Sequence, residues 1–462
     1  MCAIDGVVSV LEKRGASFTV ESLAKELRQD WVEGVLKEAG RESVRERLLP
    51  APLTVWLVIL MGLYRRMSYV NLLEKLDDTW WTREHWLADG PPCSRAVTKA
   101  RDRVGVEPMK VLFERSAGEW LAGTDGLVVR GLRVQSIDGS TMKTPDTPKN
   151  SRRFGRPGSS RGRAAYPQLR IAALLDTGTR IVKAARWSRY RTAEIDLVRD
   201  IVSEIAPGTL VLVDSGLSAL DALWGIHVRE ASFLARIGAH ARPKVLRELG
   251  PGDEIVEVTV RSYHRRRRPD MPKRWTLRMI TYRPEGAAED IRLLTDLMPE
   301  SGFTHDELAD LYHDRWEEET VIDEMKTHLC DCATVNRPLV FRSKTPDRVV
   351  QELWGMLIAY NAVRKTMHEA ASSGQRRRPD RAARPKELDA RRVSFTSALE
   401  RIREATYEMM RLPMARLAAR HERMLMAIAR VLVPKRPGRS FPRAVKIKMS
   451  SYPLKRRRRP AG

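Results

Sequence analysis

The sequence predicts an α/β protein: a helical N-terminal region, a central mixed sheet flanked by helices and interrupted by a β-rich insertion, and a helical, basic C-terminal region. Three observations predict it. Apolar residues recur at helical spacing from Met1 to about Leu121, short apolar runs replace them after Gly126, and helical periodicity returns from about Thr304 to Leu432. At 462 residues the chain exceeds what one core sustains, so two or three domains are expected.

In the N-terminal region VESLAKELRQDWVEGVLKEAG, VWLVILMGLYRRMSYVNLLEKL and MKVLFERSAGEWLA read as helices, punctuated by Gly40, Pro50, Pro91 and Pro92. Thr19 suits the first N-cap, with Glu21 and Ser22 in the opening turn. Two short helices about Gln29 and Asp30 have the size of a DNA-reading module, and equally that of an ordinary helix pair.

Beyond Gly126, LVVRGLRVQSID, PQLRIAALLD and GTRIVKAARW read as successive strands. GTLVLVD, SALDALWGIHVREA and SFLARIG follow as strand, helix, strand, which together suggests a mixed sheet with helices on it. EIVEVTV, RWTLRMITY and IRLLTDL restore strand alternation and read as an insertion within that core.

The charge balance narrows the partner. Lys and Arg number 83 against 59 acids, a net charge of +24, so a polyanion is expected. A 42% hydrophobic fraction excludes a largely disordered chain. The longest apolar run, Leu53 to Leu63, is too short to span a bilayer, and neither a secretory signal nor a membrane partner is expected. Cys2, Cys93, Cys330 and Cys332 are too few and scattered for a disulfide framework, which fits a reducing cytoplasm. His328, Cys330 and Cys332 have no second ligand pair at zinc-site spacing.

Three segments concentrate the positive charge. Ser151 to Arg163 carries Arg152, Arg153, Arg156, Arg161 and Arg163 among Gly, Ser and Pro, the composition of a mobile loop. Arg265 and Arg266 open an arginine run in the insertion, and Lys435 to Arg459 holds eleven Lys or Arg with Phe441 and Tyr452. Any one run also suits plain solvated surface; three in one chain favour nucleic acid.

Candidate chemistry rests on carboxylates. Asp138 follows LRVQSI and Asp214 follows TLVLV, acids at strand ends where open α/β sheets bind ligands; both also suit turn residues that end strands. In LYHDRWEEETVIDEMKTHL, the spacing of Tyr312, Arg315, Glu319 and Lys326 stacks them on one helix face, a stripe suited to a cation beside a phosphate or to a solvated, salt-bridged helix. Asp138, Asp214 and Glu319 would supply three hard oxygen ligands, enough for one or two Mg2+ ions.

That spacing is the Y-(2)-R-(3)-E-(6)-K signature, and the chain resembles DDE transposases of the insertion-sequence-four family. IDGST at Asp138, AYPQLR ending at Arg170, LVDSG at Asp214, LLTDL, ELWGMLIAYNAVR and the N-terminal RERLLPAPLTVWLVILMGLYRRMSYVNLLEKL carry the likeness over most of the chain. The resemblance implies a ribonuclease-H-like catalytic domain at 126–345 with its insertion at about 237–298, a DNA-binding helical domain at 1–125 and a helical region with basic tail at 346–462. It implies Asp138, Asp214 and Glu319 as the catalytic, metal-binding triad for two Mg2+ ions, with Mn2+ able to substitute. Tyr312, Arg315 and Lys326 would contact phosphate. The implied partners are double-stranded DNA, as inverted-repeat ends and target, and a second copy of the chain when assembled on DNA. Some relatives stack a Trp on a flipped base just before LLT, where this chain has Ile291 and Arg292; Trp275 or Trp316 could substitute, though both also suit a core. The rival readings are a catalytically idle DNA-binding derivative and a ribonuclease-H-like nuclease without strand transfer.

Overall fold

The structure, a computed structural model, describes residues 27–45, 48–77, 91–159, 162–238, 241–284, 289–329, 339–376, 388–409, 412 and 414–434. Thr19, Glu21, Ser22, Arg161, Cys330, Cys332 and the basic tail lie outside these. The chain divides into two compact units, one drawn from 1–124 and 323–434, the other centred on 125–322.

The first unit is helical. α1 (Gln29–Glu38) starts behind an extended Arg28 and buries Val32, Val35 and Leu36, one helical stripe. α2 (Ala51–Leu63) starts behind Pro50 and is buried from Thr54 to Leu63, as its lack of charge requires. α3 (Tyr69–Asp77), α4 (Ser94–Val104) and α5 (Glu107–Ala122) follow.

The second unit is built on a ten-stranded sheet. The expected single strand LVVRGLRVQSID is instead a hairpin, β1 (Val128–Val129) and β2 (Leu132–Lys143). Arg130 and Gly131 between them both take positive φ, 48° and 82°, as a two-residue hairpin turn demands. α6 (Pro148–Phe154), β3 (Gly158–Ser159) and β4 (Gly162–Arg163) give order to the segment expected to be a mobile loop. Thr147 caps α6 by accepting from the Asn150 N–H, and Phe154 is fully buried, edge-on to Trp187. Local capping and one aromatic anchor outweigh a loop-like composition.

β5 (Gln168–Asp176) and β6 (Val182–Arg189) complete an antiparallel meander with β2. After α7 (Glu194–Ile201), β7 (Thr209–Val213) runs parallel to β2; α8 (Leu220–His227) leads to β8 (Ser232–Arg236), parallel to β7. The insertion contributes β9 (Lys244–Gly250), β10 (Asp253–Thr259), the short α9 (Ser262–Arg267), β11 (Arg274–Tyr282) and β12 (Ile291–Thr295). Because β12 pairs with β8, these strands lengthen the central sheet, in the order β6-β5-β2-β7-β8-β12-β11-β10-β9.

One sheet face buries Ile137, Val211 and Val213 with Leu197, Val198, Leu223 and Ile226 of α7 and α8. The other buries Val134, Leu210 and Leu212 with Leu308, Leu311 and Tyr312 of α10 (His305–His313). α10 opens on a capping box in which Thr304 and Glu307 satisfy each other's backbone N–H. α11 (Trp316–Asp323) follows a break at Asp314 and Arg315, so the signature residues do not share one continuous helix. A π turn, Glu324–His328, comes next and opens the chain's return to the helical unit.

There α12 (Pro346–Arg376) packs on α2 and α5, and α13 (Phe395–Met409) and α14 (Met414–Ala429) pack back on it. Backbones of α2 and α12 touch: a β-carbon on Gly355 would lie 2.7 Å from the Val58 carbonyl oxygen, and one on Gly62 2.8 Å from that of Gly355. Arg65 bonds the fully buried Glu352 at 2.8 Å, with Ser343 donating to the same carboxylate. Gly355→Ala is therefore expected to lower stability by about 1–3 kcal/mol in urea unfolding of the full chain; an unchanged midpoint would show that the helices part freely.

Candidate active site

The site begins with a register. Ile137 on β2 pairs in parallel with Val213 on β7, and both side chains enter the α7 and α8 core. Asp138 and Asp214 are each the next residue after this pair, where the two strands lie roughly 4.8 Å apart, and strand alternation turns Asp138 to the other face. β7 ends at Val213, but β2 continues to Lys143, held on its other edge by β5 from Asp138↔Ala173 to Lys143↔Gln168. Asp138 thus sits within its strand, at the point where its parallel neighbour leaves the sheet and opens an edge, and not at the strand end that the sequence suggested.

Burial is the largest influence on the Asp138 carboxyl and raises its pKa to about 6 from 3.8. The Gly139 N–H, donating to Oδ1 at 2.7 Å, opposes the shift. The charges of Glu194 and Asp214 push upward, and the Arg315 guanidinium pulls downward.

The signature residues divide. Tyr312 is 4% exposed, packed against Leu210 and Leu212, with its hydroxyl 3.5 Å from the Val213 carbonyl oxygen. It underpins the strand that delivers Asp214. Arg315, 5% exposed, lies over the Tyr312 ring and donates to Glu319 Oε1 at 3.3 Å. Glu319 is half exposed, its side chain 44% open. Lys326 belongs to the helical unit, in the π turn fixed by buried Glu324, which meets Arg364 and accepts from the Tyr360 hydroxyl at 2.9 Å.

The structure thus sets Asp138 within electrostatic reach of Asp214 and Arg315, with Glu319 bonded to Arg315. Hard carboxylate oxygens beside an open strand edge suit a divalent cation. Among the described residues no three His, Cys, Asp or Glu side chains converge tightly enough to hold one as they stand.

The basic residues also separate. Arg152 and Arg163 are exposed, as is Arg266, whereas Arg265 is half buried. Arg153 lies over the Trp187 ring, and Arg156 is consumed internally, bonding Asp146 and the carbonyls of Ala164 and Ala165. Ile291 is half buried in β12, and Arg292 donates to the carbonyls of Ala241 and Gly238. Trp275 lies in the core against Trp224 and Phe233; the Trp316 side chain is outside the described set.

Comparison with known proteins identifies the family. Residues 17–114 match the family described as insertion element 4 transposase N-terminal, and residues 130–362 match the transposase DDE domain. The chain belongs to the DDE transposases of the IS4 family. It is 28% identical over 435 residues to the transposase InsG of insertion sequence element IS4 from Escherichia coli K12, covering 94% of this chain and 93% of InsG. A piggyBac transposase synaptic complex with hairpin DNA aligns over 92% of this chain and 85% of its own at 12% identity, with a TM-score of only 0.41. As an IS4-family transposase the protein is a DNA-binding enzyme of transposition, and its DDE domain implies dependence on divalent metal.

Sequence reasoning passed over Glu194 and Arg170 as a pair. Glu194 opens α7 in the stretch TAEID, and Arg170 meets it at 3.4 Å. No local spacing links Glu194 to Asp138; only folding does.

A raised carboxylate pKa has a definite sign. The fold favours protonated Asp138, so stability contributed at acid pH falls as pH rises from 3.8 through about 6. In chelator, Asp138→Asn is expected to melt higher than the parent at pH 8 and no higher at pH 4. Equal melting of the two proteins at pH 8 would contradict the electrostatic assignment.

Proposed function

We propose that this transposase cleaves phosphodiesters at the ends of its element and joins the released 3′-OH to target DNA, using Mg2+ held by Asp138, Asp214 and Glu319. The observation that carries the reading is the pairing of β2 with β7, which sets Asp138 beside Asp214 at an open strand edge. Divalent cations there would supply activation of the attacking oxygen and charge neutralisation at the leaving one, with Mn2+ a workable substitute.

The chain's own residues position the reaction. Asp138 and Asp214 are fixed by strand pairing, so little reorganisation is needed. Glu319 completes the set on leaving Arg315, whose guanidinium then meets a phosphate oxygen. In the first step water attacks phosphorus and the bond to the 3′ oxygen breaks, leaving a 3′-OH and a 5′-phosphate. In the second, that hydroxyl attacks a target phosphodiester and displaces its 3′ oxygen. Each is an in-line displacement that needs no covalent enzyme intermediate.

The sheet with its long insertion supports a ribonuclease-H-like core, and the helices of residues 1–125 are our candidate for recognition of the inverted repeats. Lys326, Arg152, Arg163, Arg266 and the tail are assigned to phosphate. We expect a homodimer on paired ends and action in the cytoplasm on chromosomal DNA.

Asp214→Asn and Glu319→Gln should each lower cleavage of a cognate end by at least about a hundredfold while duplex binding in a gel shift stays near the parent's. Normal cleavage in Mg2+ by either variant would sink the assignment. Deleting Lys435 to Gly462 should weaken binding to cognate and random duplex alike and flatten the salt dependence, by about 0.9 log unit per log unit of salt for each phosphate no longer neutralised. Loss confined to the cognate duplex would assign the tail a reading role instead.

A further inference from the structure

We propose that Glu194 is a fourth acidic residue of the metal centre, reaching Asp138 through the space that Gly139 leaves. The proposal rests on the reading that Asp138 and Asp214 hold divalent metal.

Glu194 is the first residue of α7, behind an extended Ala193, so the helix start fixes where its side chain departs. That side chain runs directly over the β2 backbone: a β-carbon on Gly139 would sit 1.9 Å from Glu194 Oε1 and 2.4 Å from Cδ. Any residue but glycine beside Asp138 would block the path. Gly139 thus lets the Glu194 carboxylate come against the same residue whose N–H donates to Asp138 Oδ1.

Packing does not require an acid there. Glu194 is about one-third exposed at 32%, and its ion pair with Arg170 is a single interaction at 3.4 Å. Arg170 is anchored independently, donating to the Tyr190 carbonyl at 3.3 Å and lying over the Tyr190 ring. Glu194 can therefore leave without stranding a buried guanidinium. A role in satisfying the helix start does not explain its path either, since an acid serving the α7 N-terminus would stay over the first-turn N–H groups and not extend across a neighbouring strand. Holding a carboxylate beside that of Asp138 is unfavourable through like-charge repulsion, and a divalent cation removes that repulsion. Reaching the open edge from the α7 side, Glu194 would hold the cation directly or through its water, opposite the face that carries Arg315 and Glu319.

The test is Mn2+ binding by the full chain without DNA, read from the paramagnetic resonance of free Mn2+, with metal-free melting as a second readout. Glu194→Gln should weaken Mn2+ binding roughly tenfold or more, and Glu194→Asp less, while the metal-free protein melts no lower than the parent. Gly139→Ala, whose β-carbon occupies the passage, should reproduce the weakened binding and serves if Glu194→Gln folds poorly. Parental Mn2+ affinity in Glu194→Gln, with Asp138→Asn impaired, would overturn the role of Glu194 alone. Parental affinity in both would overturn it together with the carboxylate centre itself.

Discussion

The parallel pairing of β2 with β7 is the constraint on which the rest depends. A strand has a side-chain period of two, so the register Ile137↔Val213 decides at once which residues enter the α7 and α8 core and which face α10. A slip by one residue would put Asp138 into apolar packing and Ile137 at the open edge. All five residues of β7 are buried, and Val211 and Val213 on one side oppose Leu210 and Leu212 on the other, so both faces enforce the same register. Tyr312 adds to this from α10 by packing beneath β7. The acids can then be expensive, as the raised pKa of Asp138 implies, because hydrophobic burial holds them where they are.

Arginine serves two purposes in this chain. Among the described residues, Arg65, Arg101, Arg278 and Arg364 are buried and bonded to Glu352, Gln351, Asp253 and Glu324 respectively. These guanidinium groups pin helices and strands and are unavailable to a polyanion. Arg152, Arg163 and Arg266 are exposed and remain candidates for phosphate. Net charge alone therefore overstates the surface available for DNA, and burial is what sorts one population from the other.

Much of the sheet unit was legible in the sequence for a physical reason: short apolar runs bounded by turn residues are buried strands. The meander and the β7–α8–β8 passage could be read in this way, and Asp214 does follow the end of β7, whereas Asp138 lies inside β2. Four features could not. The Arg130–Gly131 turn sits inside an apolar run, so the run looked continuous. The helix through the signature breaks at Asp314 and Arg315 and then widens into a π turn; the turn is pinned by Glu324 against Arg364, a partner forty residues on in sequence that no local periodicity reveals. Arg156 belongs to a run that composition marks as solvated, yet it bonds inward to Asp146 because Thr147 and Phe154 order the segment around it. Glu194 belongs with these, since its relation to Asp138 exists only through the missing side chain of Gly139.

The central claim is spatial, that acids from separate elements gather around a divalent ion at the β2 and β7 edge. Anomalous diffraction at the manganese edge, from crystals of the full chain grown with Mn2+, tests it most directly. The account predicts a peak between the carboxylates of Asp138 and Asp214, with Glu319 turned from Arg315 toward it. Ordered Mn2+ bound only elsewhere, with both aspartates free of metal, would contradict it.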